Sequence, residues 1–130
     1  MKIKTSELTG AALDWAVAKC EGYFTSAGQN AEYWDSPTGA KHFLKMHQSE
    51  GHGVHWTHIS TDWAEGGPII EQERIGVKAV YHGYDVSHWA ATQECVEGRY
   101  NGPTPLVAAM RCYVASKMGD TVDIPSEFFM

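Results

Sequence analysis

The sequence predicts an α+β fold: a small single domain with two main helices packed on an antiparallel sheet of three to four strands. Three observations carry this reading. Helical apolar spacing occurs near both ends of the chain, in 10–21 and 105–118. Between them, the stretch from Gly76 to Tyr84 alternates with period two. And 130 residues, 43% of them apolar, supply one core and favour one domain over 1–130. Helices flanking a short antiparallel sheet form an α+β domain.

In the first helix, "GAALDWAVAKCEG", Thr9 precedes as N-cap and Gly22 follows as stop. Leu13, Ala16, Val17 and Cys20 recur at i, i+3, i+4 and i+7, one stripe for a core. In the second, "GPTPLVAAMRCYVASKMGD", Thr104 caps, Pro105 takes the first helical position and Gly119 ends the run. Leu106, Ala109, Met110, Tyr113 and Val114 make its apolar face, and its small residues suit close approach, including that of a second subunit. Leu13, Val17, Leu106, Met110 and Tyr113 are the expected core.

The sheet begins with "GVKAVYHGY", where Val77, Ala79 and Tyr81 alternate with Lys78, Val80 and His82. A run around "SHWAAT" pairs with it, "GVHWTHIS" at 53–60 is a weaker strand, and "DTVDIPSEF" adds an edge strand ended by Pro125. The segment 24–53 reads as a loop-rich insertion carrying a short helix around "GAKHFLKMHQSE".

Composition narrows the function. A net charge of −6 argues against a broad grip on nucleic acid, which needs clustered Lys and Arg. "MKIKTSELTG" lacks the apolar core of a signal peptide, and no run approaches the ~18 residues of a spanning helix, so a cytosolic protein without membrane attachment is expected. Cys20, Cys95 and Cys112, odd in number and widely spaced, form neither a disulfide framework nor a zinc knuckle; buried thiols in helices serve as small apolar fillers. His47, His52, His55 and His58 crowd one stretch and suit zinc by ligand type. On a strand, however, His55 and His58 point to opposite faces, and Gly51 and Gly53 break a helix. No metal site, cofactor or catalytic residue is assigned. The acids Asp62, Glu65, Glu71 and Glu73 are close enough for acid–base work, yet Asp62 three residues before Glu65 is equally a helix-capping arrangement.

Three blocks occur in a recognisable order: "KTSELTGAALDWAVAKCEG", then "STDWAEGGPIIEQERI", then "TPLVAAMRCYVASKMGD" followed by "VDIP". Together they resemble the NinX-type phage proteins, small accessory proteins of tailed bacteriophages and prophages. The resemblance implies a protein of the phage-infected cell, located in the host cytoplasm. It supplies no reaction; dispensability for building a virion suggests host takeover or counter-defence.

The middle block holds the candidate site. Gly66 and Gly67 remove side chains from two consecutive backbone amides and Pro68 fixes the next φ, a natural anion nest. Trp63 offers a face on which a base can stack, and Ser60, Thr61 and Asp62 supply hydroxyls and a carboxylate suited to ribose. Arg111, the strong charge in the middle of its helix, presents a fork to a phosphate, a carboxylate or another subunit. The same residues also fit a tight turn in which Trp63 plugs the core. The expected function is non-enzymatic: a small nucleotide-like ligand, such as a host antiviral signal, is bound and sequestered, with a homo-oligomer as the assembly. The alternatives are an enzyme that degrades such a signal and a module that blocks a host protein through an exposed aromatic patch.

Overall fold

The computed structural model describes residues 2–23, 33–35, 42–44, 59–94 and 96–124. Their order is β1 (Lys2–Lys4), a 3₁₀ turn (Thr5–Glu7), α1 (Gly10–Cys20), β2 (Tyr33–Asp35), β3 (His42–Leu44), α2 (Trp63–Glu73), β4 (Gly76–His82), β5 (Asp85–Gln93), β6 (Val96–Gly102), α3 (Pro105–Met118) and β7 (Thr121–Asp123). This is an α+β domain with α3 at its centre. β4, β5 and β6 form an antiparallel sheet in that order, while β1 pairs with β7 and β2 with β3, both antiparallel.

The expected helices form where the caps and spacing put them. Thr104 accepts a hydrogen bond from the Val107 amide at 3.1 Å, and Pro105 occupies the first turn. Thr9 holds the N-cap position of α1 without a side-chain cap bond. Leu13, Val17, Leu106, Met110 and Tyr113 are all buried. But α3 is not the one-faced helix its stripe suggested. Leu106–Met110 and Cys112–Val114 are buried consecutively, as in a helix enclosed on most sides. One side lies on β5 and β6, and others meet α1 and α2. α1 therefore packs on α3 rather than directly on the sheet. The small residues of α3 serve that enclosure. Gly102 belongs to the same packing, because a Cβ there would stand 2.6 Å from the Ala108 nitrogen.

The β4–β5 hairpin follows the alternation at its base, where Val77 and Trp89 pack against the core beside Tyr100 of β6. The pattern fails beyond Val80. A bulge shifts the register between Val80 and Tyr81, and Tyr81 through Ser87 are exposed. β7 confirms the predicted edge strand: it pairs with β1, and Thr5 donates from its hydroxyl to the Gly119 carbonyl at 2.7 Å.

Three expectations need correction or fall elsewhere. Within 39–50 the described residues His42–Leu44 are a strand, not part of a helix. Of 53–60 only Ile59 and Ser60 are described, and they lie in a turn; the rest of that candidate strand is outside the described residues. The largest departure is α2, where the Gly-Gly-Pro stretch read as a turn is helix.

Candidate functional site

α2 forms against its own propensities. Two glycines cost roughly 1 kcal/mol each in a helix interior, and proline about 3. Caps and packing offset this. The Asp62 side chain accepts from the Ala64 amide at 3.0 Å, and its backbone carbonyl receives Glu65 N–H at 3.0 Å and Gly66 N–H at 2.9 Å. At the other end Arg74 turns left-handed, with φ 56°, and the Ile75 amide reaches back to the Ile70 carbonyl at 3.0 Å. Ile69 and Ile75 are buried. Pro68 sits exposed on the outer side, as does Ala64, whose carbonyl it cannot serve.

The geometry separates the predicted site residues into distinct roles. Ser60 is buried; its amide donates to Asp14 Oδ1 of α1 at 2.7 Å, while its hydroxyl has no hydrogen-bond partner among the described residues. Asp62 is the cap and Thr61 is exposed beside it. Gly66 is a packing residue: a Cβ would lie 2.4 Å from Leu106 Cδ1 and 2.9 Å from the Ile59 carbonyl oxygen. The anion nest does not form, because the Gly66 amide is bound to Asp62 and Gly67 lies one turn inside the helix.

Trp63 and Gly67 make the open part of this site. Trp63 is 55% exposed, the opposite of a core plug. Residues i and i+4 stack on a helix face, so the position that would normally cover the indole carries no side chain. Among the described residues a Cβ at Gly67 would meet only Trp63 Cε3, at 4.0 Å. The result is an aromatic shelf bordered by bare backbone, with the Asp62 carboxylate at its entry.

Arg111 does not join it. Its Nε donates to the Leu8 carbonyl and Nη1 to the Asn101 carbonyl, both at 2.7 Å, tying the segment before α1 to β6. Burial lowers its pKa from the usual arginine value. Leu106 faces α2 at Gly66, and Arg111 is five residues on, about 140° around the helix. It is a brace between elements and points away from Trp63.

A second polar group, not anticipated from the sequence, lies where the C-terminal ends of the three helices meet β5. Tyr113 donates to Glu21 Oε2 at 2.5 Å, Lys117 pairs with Glu73 at 3.4 Å, and Gln93 Nε2 donates to the Glu73 carbonyl at 2.9 Å. Burial, then the neighbouring Glu21, pushes the Cys20 thiol up to about 12; burial and the bond to Glu21 raise the Tyr113 phenol. Burial also lifts Cys112 to about 11. Thiols held protonated are poor nucleophiles, so this group acts as a fastening. Its members come from four elements, and no local motif announces them.

Among the described residues no group of three or more His, Cys, Asp or Glu could hold a metal, and no helix is long and apolar enough to cross a membrane. The histidines 47, 52, 55 and 58 and Cys95 lie outside the described residues.

Fold and site thus define a small α+β protein with an open aromatic shelf at a helix start, backed by a tightly fastened core. The family model described as Bacteriophage P22, NinX matches residues 4–117, and the chain belongs to that family. No curated protein matches it in sequence.

Proposed function

We propose that this phage protein works by binding rather than by catalysis, and that it sequesters a small nucleotide-like molecule of the host, such as an antiviral signal, in the host cytoplasm. The observation that carries the reading is the Trp63 shelf: an indole 55% exposed at a helix start, with bare backbone at Gly67 in the position that would cover it. A solvent-facing indole left uncovered by its own helix suits stacking with a planar ring. The spent amides of α2 and the carboxylate of Asp62 refine the ligand. Its base end lies on Trp63, its sugar hydroxyls meet Asp62, and any phosphate points outward to solvent instead of entering a nest.

The test compares native and denaturing mass spectra of the protein purified from phage-infected cells. A bound mass released intact on denaturation supports sequestration, and a released mass that differs from the bound one favours the degrading enzyme. Trp63→Ala should cost roughly 1–3 kcal/mol of binding, or about 10–100-fold in affinity, with the melting temperature unchanged. If Trp63→Ala unfolds the chain, or leaves the affinity of the captured molecule unaltered, the shelf is not its site.

A second reading, a module that engages another protein, is favoured by a different observation: Tyr81, Tyr84 and Val86 are exposed together on the β4–β5 hairpin.

A further inference from the structure

We infer that the chain forms a two-fold dimer by antiparallel pairing of β4 with β4 of a second copy, the two protruding hairpin tips reaching across onto each other's sheets. Most of α3, the helix whose small residues suit a second subunit, is buried by the chain's own elements, and the sheet edge offers a different surface. β4 is one of the two edges of the three-stranded sheet, the one that carries the exposed arm. In the order β4-β5-β6 it is an edge, and among the described residues no strand pairs with its outer side. Along its seven residues, the backbone groups of every second residue point away from β5, a template for another strand.

The side chains on that strand say which strand fits. Tyr81 and Val86 are register partners on one face of the arm, 64% and 46% exposed, and Tyr84 at the tip is fully exposed. The arm ends in a two-residue turn, Gly83-Tyr84, with Gly83 at φ +67°, the geometry that places a tyrosine at the apex of a hairpin. None of these three is buried in its own fold. Toward the base of the same strand a groove of about 280 Å³ opens along Gly76, Val77, Lys78, Ala90 and Thr92. Arm and groove thus occupy opposite ends of one edge strand, which is what an isologous two-fold contact requires.

The register follows from charge and packing. Pairing centred on Lys78 would set two like charges directly opposite, which is destabilising. Pairing centred on Ala79 places Val77 opposite Tyr81 of the second copy, a favourable aromatic and β-branched pair on the core-facing side. The same register puts Gly76 opposite His82 of the second copy, on the face where Lys78, Ala90 and Thr92 line the groove, and a residue without a side chain leaves room for it. The area is adequate. Two tyrosines of roughly 150–250 Å² from each copy, with the surface they cover, approach the ~1,200–2,000 Å² of a stable interface.

Sedimentation of the full chain up to ~100 μM, the top of the micromolar range where a modest dimer would show, gives the first readout. A reversible dimer is expected, and Tyr81→Ser with Tyr84→Ser should raise its dissociation constant at least ~30-fold while the melting temperature holds. The register is read independently by Ala79→Cys in a Cys95→Ser background. Symmetric pairing at residue 79 sets the two Cα atoms about 4.5–5.5 Å apart, within disulfide reach, so mild oxidation should cross-link the dimer. The same change at Lys78 should cross-link far less. A wild type that sediments only as monomer overturns the proposal, as does a dimer indifferent to the tyrosine changes or an Ala79→Cys variant that stays uncoupled. The stacking test at Trp63 uses none of these residues, so the two ideas fail separately.

Discussion

At its N-terminal end α2 shows solvent a tryptophan and an uncovered glycine, while some ten residues later, about 15 Å along the axis, Glu73 is held by Lys117 and Gln93 beside the Tyr113–Glu21 bond. One helix thus has a surface end and a fastened end. Gly66 and Gly67 repeat the contrast at neighbouring positions. The first is closed by Leu106 and the Ile59 carbonyl, while the second meets, among the described residues, only the edge of an indole. Polar chemistry at the fastened end comes from four elements and is spent on holding them together. At the surface end the cap is satisfied and the aromatic is left over. Spare binding capacity therefore sits where the fewest intramolecular contacts are made.

The largest expected effect attacks the fastened end through pH. Cys20, Cys112 and Tyr113 have folded-state pKa values raised above 9.0 for the thiols and 10.0 for the phenol. Above those values the unfolded chain releases protons that the folded chain retains. Stability is then fully present below pH 9 and falls as pH rises toward 11–12, by at most about 1.4 kcal/mol per pH unit for each group. Thermal melts from pH 7 to 11 should be flat at first and then drop. Cys20→Ala with Cys112→Ala should postpone the drop until the phenol of the unfolded state ionises. A wild-type melting temperature unchanged at pH 11 would mean that the junction is open to water.

Next in size is Gly66→Ala. The added methyl meets a movable Leu106 side chain at 2.4 Å and a fixed Ile59 carbonyl at 2.9 Å, so α2 must shift away from α3. Overpacking of this kind costs typically 1–3 kcal/mol, against a helix-propensity gain of roughly 1. Chemical denaturation should show a net loss. Equal or greater stability would show that α2 does not pack here.

How far the fold could be read depended on whether local and tertiary preferences agree. α1, α3, the β4–β5 hairpin and β7 were legible, since caps, stops and periodicity point the same way in each. α2 was not: Gly66, Gly67 and Pro68 speak against a helix locally, and its compensation comes from Leu106, forty residues away in sequence. β6 was missed because "VEGRYNG" places only Val96 and Tyr100 as large apolar residues opposite Glu97, Arg99 and Asn101, and glycines, one of them Gly98 at φ +77°, take the other positions on that side. In the candidate site, the cap at Asp62 and the exposure of Trp63 follow from the residue types. The nest did not follow, because it required the glycine amides to be free. Arg111 was recognised as a fork seeking oxygen atoms; that those oxygens are the carbonyls of Leu8 and Asn101 is a fact of packing alone.

The smallest effect is the most discriminating, because it changes sign between two readings of one residue. Gly67 lies in the interior of α2 with ordinary helical φ, and among the described residues a Cβ there would find only Trp63 Cε3 at 4.0 Å. On packing grounds Gly67→Ala should therefore raise stability by roughly 0.5–1 kcal/mol, through reduced freedom of the unfolded chain. A ligand stacked on Trp63 and resting against this bare backbone would meet the new methyl group. The expected result is a variant that melts higher than wild type and binds the captured molecule more weakly. Both numbers come from one titration followed by calorimetry, with Gly66→Ala as the destabilised companion. If Gly67→Ala gains stability and binds as well as wild type, the glycine has no part in recognition and the shelf ends at the indole. If it loses stability, the space beside Trp63 is already filled by the chain itself, and the surface end of α2 is not open.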